Sequence, residues 1–244
     1  MLYIDEIFGP TLQGEGKYAG KVSIFIRFAK CNMTCSGFGV PYDGDKQGCD
    51  SFHAVDTIYK NFWQKFDKAG VVISKLENLS KSCDVVVTGG EPLLYWDDKQ
   101  FQKMLKYFVR KKRRITIETN GTIDIKLDKK WQKNIVFSIG LKLFNSGEPK
   151  HKRLNTKALN NIISYTKNVY LKFVIDNAKA NEIIKEILAI QSLFANTDIY
   201  LMPLGHDAKN VELHSYITAQ LAIKYGYNYS DRTHIRLWNN ERKR

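Results

Sequence analysis

The chain has 244 residues, enough to bury a sizeable core in one α/β domain or in two small ones. It carries 38 Lys and Arg residues against 25 Asp and Glu residues, and the resulting formal charge of +13 is compatible with an anionic partner but specifies none. No segment approaches the roughly 18 to 20 consecutive apolar residues of a membrane-spanning helix, and the first residues lack the pattern of a signal peptide. We therefore expect a cytoplasmic protein without a membrane segment.

Runs of β-branched and aromatic residues bounded by polar residues or glycine predict seven strands. In chain order they are Val22–Phe28, Asp84–Thr88, Arg114–Thr119, Asn134–Ile139, Val169–Ile175, Asp198–Met202 and Thr233–Trp238. Apolar residues with helical spacing predict helices around 101–109 and 183–190. Strands that alternate with helices are typical of an α/β fold with parallel strands, either an open sheet or a complete or partial barrel. No linker or repeat divides the chain, so we expect one domain spanning residues 1–244.

Three of the four cysteines fall in one short window after the first predicted strand, with the spacing Cys31-x3-Cys35-x13-Cys49. In a reducing compartment such a group indicates metal binding rather than disulfides. Three thiolates leave one coordination position open on an iron–sulfur cluster, where a substrate can bind. The main alternative is structural zinc, because His53 would complete a Cys3His set. Cys83 precedes an apolar run and is expected to be a buried small side chain.

Glycine and polar residues follow the next two predicted strands. Gly89, Gly90 and Glu91 come after the second strand, and Asn120 and Gly121 come after the third. In parallel α/β folds, ligands bind at the carboxyl ends of the strands, so these residues and the cysteines are expected at one edge of the sheet. Glycines without a Cβ would let backbone carbonyls approach a ligand ammonium group.

Together, the cysteine pair and the motif from Thr88 to Pro92 resemble the radical S-adenosylmethionine superfamily. The resemblance implies a partial (β/α)6-type barrel of mostly parallel strands, with a cluster loop at about residues 29–53. It also implies a [4Fe–4S] cluster bound by Cys31, Cys35 and Cys49. In that superfamily the open iron binds the amino and carboxylate groups of S-adenosylmethionine.

Within the superfamily, the chain resembles the 7-carboxy-7-deazaguanine synthase family over almost its whole length. The matching segments are Glu6-Ile7-Phe8, Leu12-Gln13-Gly14-Glu15-Gly16, Phe25-Ile26-Arg27, Cys31-Asn32, Cys49-Asp50, Thr88 to Leu94, Glu118-Thr119-Asn120-Gly121, Lys172-Phe173-Val174, Leu201-Met202-Pro203 and Asp231-Arg232-Thr233-His234. The Gln-Gly-Glu-Gly segment before the cysteines separates this family from glycyl-radical activating enzymes.

The resemblance implies a lyase that converts 6-carboxy-5,6,7,8-tetrahydropterin to 7-carboxy-7-deazaguanine and ammonia, on the route to queuosine or another 7-deazapurine. The implied cofactors are the [4Fe–4S] cluster, S-adenosylmethionine and Mg²⁺. The implied partners are the pterin substrate, a second copy of the chain in a homodimer, and an electron donor such as flavodoxin or ferredoxin. No direct contact with nucleic acid is expected.

Site residues are assigned by the same resemblance, and no side chain is assigned a catalytic role. The substrate would be bound by Gln13, Gly14, Glu15, Arg27, Gly89 and His234. S-Adenosylmethionine would be bound by Gly90, Glu91, Asn120, Ser138 and Lys142. Ser51 would hold the magnesium ion through its hydroxyl group, an oxygen ligand of the kind that Mg²⁺ prefers.

The chain departs from the family pattern at three places, one of which is Ser51, where the family commonly has a threonine beside the magnesium ion. The third cysteine usually lies two residues after the second, whereas residues 36–48 intervene here. The family's Ser-Pro-Lys segment, which contacts the ribose of S-adenosylmethionine, is replaced by Ser138-Ile139-Gly140-Leu141-Lys142.

Two other functions remain open from the sequence. A glycyl-radical-enzyme activase would use the same cofactors but would need a protein partner and would not turn over a pterin. A basic, zinc-bearing RNA-binding module would use His53 and the positive charge, and it would bind RNA with a strong dependence on salt.

Overall fold

The computed structural model describes residues 1–244 and contains eleven strands and eight α-helices. The strands are β1 (Leu2–Leu12), β2 (Val22–Phe28), β3 (Val40–Tyr42), β4 (Lys46–Gly48), β5 (Gln64–Phe66), β6 (Asp84–Gly89), β7 (Ile115–Thr119), β8 (Ile135–Gly140), β9 (Val169–Ile175), β10 (Asp198–Pro203) and β11 (Asn228–Tyr229). The helices are α1 (Phe52–Val55), α2 (Ala69–Leu79), α3 (Lys99–Arg110), α4 (Lys150–Arg153), α5 (Thr156–Tyr165), α6 (Ala180–Leu193), α7 (Ala208–Tyr225) and α8 (Thr233–Trp238). No helix combines the length and the apolar character needed to cross a membrane.

Nine of the strands form one sheet in the order β11-β10-β9-β8-β7-β6-β2-β1-β5. From β2 to β11 all neighbouring strands are parallel, whereas β1 pairs antiparallel with both β2 and β5. Strands β3 and β4 form a separate two-stranded hairpin. The predicted fold class, an α/β partial barrel of mostly parallel strands, is therefore confirmed.

The two faces of the sheet differ in chemistry, because successive side chains of a strand point to opposite faces. One face carries apolar residues such as Ile24, Ile26 and Val87, which pack with the helices in a core of 39 buried residues. Helix α3 contributes to this core through the four buried residues of its predicted apolar face, Phe101, Met104, Leu105 and Phe108. The opposite face carries the polar side chains described below.

The structure differs from the sequence prediction in two ways. Residues Thr233–Trp238 form helix α8 and not a strand: only Ile235 is buried there, and the edge position next to β10 is taken by β11. The second difference is that the short strands β3, β4, β5 and β11 and the eleven-residue strand β1 were not predicted. The alternating burial pattern of β1 includes the charged residue Glu6, which breaks the apolar pattern of a strand.

Candidate active site

A cavity of about 570 Å³ lies on the polar face of the sheet and at the carboxyl ends of its parallel strands. Its lining extends along the chain from Phe8 to Arg244. Of the predicted site residues, the following line it: Gln13, Gly14, Glu15, Arg27, Cys31, Cys35, Cys49, Ser51, Gly89, Gly90, Asn120, Ser138, Lys142 and His234. Only Glu91 does not. The residues that were predicted at the carboxyl ends of the parallel strands therefore do lie together in one cavity.

Strand register explains the polar lining of the cavity. Arg27 on β2 pairs with Thr88 on β6, and Glu118 on β7 pairs with Ser138 on β8, so each pair shares a face of the sheet. Thr88 donates a hydrogen bond to Glu118 across 2.9 Å, and Gln13 donates to the other carboxylate oxygen across 3.1 Å. Glu118 therefore orients the Gln13 amide at the cavity wall.

The three cysteines of the cluster loop are free thiols that line the cavity. Burial raises the pKa of Cys31 to about 11 and that of Cys49 to about 12, so these thiols stay protonated at neutral pH unless a metal binds them. Lys142 lies close enough to interact electrostatically with all three: burial alone would lower its pKa, but the cysteines raise it when they are in the thiolate form that a metal requires. Soft ligands beside one cation fit an anionic iron–sulfur cluster.

The insert between the second and third cysteines forms the β3–β4 hairpin and brings Cys49 back to the cavity. Gly37 has a φ of +55°, and a Cβ there would lie 2.3 Å from the Cys49 Cα. Only glycine permits this approach. The ring of Tyr42 stacks on that of Phe52, just after Cys49, with 4.5 Å between their centroids.

Gly89 and Gly90 are explained by contacts within the chain itself. A Cβ on Gly89 would lie 2.0 Å from the Phe28 carbonyl oxygen, and one on Gly90 would lie 2.1 Å from that of Lys30. The Gly90 amide donates to the Phe28 carbonyl across 3.0 Å. Both glycines are thus required where the end of β6 meets the segment after β2.

Glu91 is completely buried and binds backbone and side-chain donors. Its carboxylate accepts hydrogen bonds from the Leu93 amide, the Thr119 hydroxyl and the Asn120 amide at 2.7 to 2.9 Å. Burial raises the pKa of Glu91 to about 7, although these donors oppose the shift. Because the protein encloses this side chain, the contact of Glu91 with S-adenosylmethionine stays a prediction and would involve its backbone. The side chain positions Asn120, whose amide group donates to Asn32 in the cluster loop.

Four charged side chains form a chain of ion pairs beside the cavity. Lys172 donates to Glu15, the second oxygen of Glu15 accepts from Arg232 Nε at 2.9 Å, and Arg232 Nη2 donates to Asp50 at 2.5 Å. Burial alone would raise the pKa values of Glu15 and Asp50, but positive charge from Lys172 and Arg232 holds that of Glu15 well below its ordinary value. Arg232 does the same for Asp50. Both oxygens of Glu15 are thus already bound by protein cations.

Arg27 and His234 each have a buried nitrogen without a hydrogen-bond partner. Arg27 Nε lies 3.7 Å from Glu6, too far for a hydrogen bond, while its Nη1 donates to Ser51. His234 Nδ1 is also unpaired, and a Cβ on Gly14 would lie 1.8 Å from it. Burial and the charge of Arg232 lower the pKa of His234, which favours the neutral ring. Unpaired buried polar atoms are rare, so these two indicate room for a polar ligand.

His53, the zinc ligand of the alternative prediction, lies outside the cavity lining. Its Nδ1 lies 2.5 Å from Asp5, and its Nε2 lies 3.4 Å from Glu6. Only these three residues bring metal-ligating atoms within 4.8 Å of one another, and the cysteines do not. Thiolates on one tetrahedral zinc ion at about 2.3 Å would lie about 3.8 Å apart. The arrangement therefore does not fit a Cys3His zinc site.

Arg232 is a buried, paired residue at the edge of the site that the sequence prediction did not single out. It is part of a segment that resembles the family, but an arginine in a sequence is usually expected to be a charged residue on the surface. A buried position opposite two carboxylates becomes evident only in the folded chain.

The chain is similar to several curated proteins that carry the same enzyme name. No family model matches the chain. It is 29% identical to the 7-carboxy-7-deazaguanine synthase of Halobacterium salinarum, covering 98% of this chain and 91% of that one, and 28% identical to that of Rhodopirellula baltica, covering 99% and 88%. The enzyme of the same name from Bradyrhizobium diazoefficiens is 35% identical over 49% of this chain and 56% of its own.

Solved structures agree with the fold. The crystal structure of QueE from Escherichia coli matches with a TM-score of 0.67 and 21% identity, covering 96% of this chain and 94% of that one. Streptococcus suis SuiB matches with a TM-score of 0.51 and 16% identity over 83% of this chain and 47% of its own. These structures show the fold alone, whereas the relatives named above confirm the predicted resemblance and the prediction of an enzyme.

Proposed function

We propose that this chain is a 7-carboxy-7-deazaguanine synthase, a radical S-adenosylmethionine lyase that converts 6-carboxy-5,6,7,8-tetrahydropterin to 7-carboxy-7-deazaguanine and ammonia. The name shared by the relatives supports the reaction. The observation that carries the proposal is that three cysteine thiols and a set of carboxylate-binding and amide side chains line the same cavity. The product would enter the synthesis of queuosine or another 7-deazapurine.

Cys31, Cys35 and Cys49 would bind the [4Fe–4S] cluster, with Lys142 offsetting part of its negative charge. When bound, the cluster and S-adenosylmethionine supply radical chemistry that side chains cannot. Gly90, Asn120 and Ser138 line the cavity and would contact S-adenosylmethionine, while Glu91 acts by holding Asn120 in place. Ser138 or Lys142 would contact the ribose of S-adenosylmethionine. Both line the cavity, and they belong to the segment that replaces the family's Ser-Pro-Lys.

The pterin would be oriented by the polar wall opposite the thiols. Arg27 and the neutral His234 ring each have a nitrogen to offer a carboxylate or a ring edge. Gln13 presents an amide that Glu118 holds in place, and Gly14 and Gly89 provide backbone surface. Glu15 would act indirectly, because Lys172 and Arg232 occupy both of its oxygens.

A magnesium ion at Ser51 is part of the proposal. The Ser51 hydroxyl and the neighbouring Asp50 carboxylate are hard oxygen donors, as Mg²⁺ requires. The same hydroxyl accepts a hydrogen bond from Arg27, and Asp50 is paired with Arg232. An ion at Ser51 would therefore compete with the Arg27 guanidinium.

The remaining partners rest on the resemblance. They are a second copy of the chain in a homodimer and an electron donor such as flavodoxin or ferredoxin. The residues that line the cavity extend along the chain from Phe8 to Arg244, which supports treating residues 1–244 as one functional unit.

The test is anaerobic reconstitution of the protein with iron and sulfide, followed by incubation with S-adenosylmethionine, a reductant, Mg²⁺ and carboxytetrahydropterin. The proposal expects 5'-deoxyadenosine and 7-carboxy-7-deazaguanine. Formation of deoxyadenosine without the deazaguanine would favour a glycyl-radical activase or another radical enzyme. A colourless protein that binds one zinc ion would overturn the proposal.

A further inference from the structure

We propose that Arg232 is a positioning residue that fixes the segment around Cys49 before any cluster is present. The inference rests on the proposed function only in taking Cys49 as a cluster ligand. The Arg232 side chain has 0% exposure, and arginine is almost never buried to this extent unless it is paired. It does not line the cavity, so it acts on other residues and not on a ligand.

Four separate segments meet at its guanidinium group. Nη2 donates to Asp50, directly after Cys49, and Nε donates to Glu15. Nη1 donates to the carbonyl oxygen of Gly205, which follows β10. The Phe38 ring covers the guanidinium carbon at 3.8 Å from the ring centroid. Each nitrogen therefore has a partner within the protein, and one aromatic contact reaches the insert.

The insert needs such contacts because it cannot hold its own shape. Its two strands have only three residues each, and an isolated two-stranded hairpin is marginal in water. Phe38 lies next to Gly37, whose backbone touches that of Cys49. A fixed Phe38 ring therefore fixes the turn against which Cys49 packs.

Charge balance explains why an arginine is tolerated in this position. Arg232 and Lys172 are offset by Glu15 and Asp50, so the four groups carry no net charge. The planar guanidinium group donates to two carboxylates and stacks on an aromatic ring at the same time, which lysine cannot do. The family's short cysteine spacing is replaced here by a long insert, and Arg232 restrains that insert from one side.

Hydrogen–deuterium exchange of the metal-free protein tests this role without the cluster. We expect the amides of residues 36–50 to exchange at least about tenfold faster in Arg232→Lys and in Phe38→Leu than in the parent. The amides of α6 serve as an internal reference and should not change. Arg236→Lys is the matched control, since this arginine lies on α8 and pairs with Asp231 outside the cavity.

Iron and sulfide contents after reconstitution provide a second readout, which should fall in both variants and not in the control. If Arg232→Lys fails to fold by circular dichroism, Phe38→Leu alone decides, because it leaves the ion pairs intact. Exchange of residues 36–50 at the parent rate in a folded variant would overturn the inference. A parent protein that takes up no cluster would count against the proposed function only, since the exchange result does not depend on it.

Discussion

The side chains of Arg27 and Ser51 are joined by a hydrogen bond from the guanidinium Nη1 to the serine hydroxyl. Arg27 lies on β2, and Ser51 follows Cys49 by two residues, so the bond ties the strand to the cluster loop. The Nε of the same guanidinium is buried and unpaired. One residue thus connects the proposed sites of substrate, magnesium and cluster.

Arg27→Lys is expected to weaken binding of carboxytetrahydropterin by at least roughly thirtyfold. A lysine cannot form two parallel bonds to a carboxylate, and the loss of a buried charge pair typically costs about 2 to 5 kcal/mol. Slow cleavage of S-adenosylmethionine without substrate should persist, because the cysteines are unchanged. Measured KM values and deoxyadenosine yields check both points. Arg114→Lys, at a partly exposed pair with Asp84, is the control; parent-like turnover by Arg27→Lys would make Lys172 or His234 the carboxylate ligand.

Ser51→Ala is expected to raise the Mg²⁺ concentration needed for half-maximal turnover, since it removes a hard oxygen donor. Ser51→Thr keeps the hydroxyl and should respond as the parent does. The measurement is turnover across a magnesium titration after chelation. An unchanged response in Ser51→Ala would remove this residue from the magnesium site.

Changing Cys31, Cys35 or Cys49 to Ala is expected to abolish the brown chromophore and all cleavage of S-adenosylmethionine. Each of the three lines the cavity, and the fourth cysteine, Cys83, does not line it and cannot replace one of them. Cys83→Ala should keep both properties, because Cys83 precedes β6 and packs against the apolar core. Absorption spectra and iron analysis of the four variants decide. An active cluster in Cys49→Ala would show that the long insert does not end at a ligand.

Glu15→Gln is expected to lower the free energy of unfolding at pH 7 by about 3 to 5 kcal/mol, because it leaves Lys172 and Arg232 with excess buried charge. Although burial opposes it, the two cations depress the folded-state pKa of Glu15 below its ordinary value of 4.5. A depressed pKa stabilises the fold above pH 4.5, and this contribution is lost as the pH falls through the folded-state pKa. The parent should therefore lose stability on acidification more steeply than the variant.

Chemical denaturation of the metal-free proteins at several values between pH 7 and pH 3 measures this difference. Glu241→Gln is the control, since its partner Arg244 is exposed. Parallel curves for the parent and Glu15→Gln would show that the carboxylate contributes no linked proton.

Much of the fold could be predicted because local patterns agree with the final packing. The predicted strand Val169–Ile175 has the observed bounds, and the apolar face of α3 is buried as expected. β1 was missed because Glu6 interrupts its apolar pattern, and this carboxylate is accommodated by Arg242, His53 and Arg27 from other segments of the chain. Thr233–Trp238 has strand-forming residues, but it forms a helix that packs against α7.

The candidate site was predictable to the extent that motifs follow strands. Residues after β2, β6 and β7 converge by the geometry of a parallel sheet, so Cys31, Gly90 and Asn120 could be placed together. The enclosure of Glu91 and the pairing of Arg232 depend on side chains far apart in sequence. Residue type cannot reveal whether a charge faces water or two buried carboxylates.

The ion pair between Arg232 and Asp50 can form only after the chain between them has been synthesised. About 180 residues separate the two, and at about 5 to 20 residues per second a ribosome needs roughly 10 to 40 s to make the intervening chain. Throughout that interval the cysteines already exist while the arginine that packs beside them does not. On the proposed function, the segment around Cys49 would therefore gain its Arg232 contacts only after most of the chain has been made.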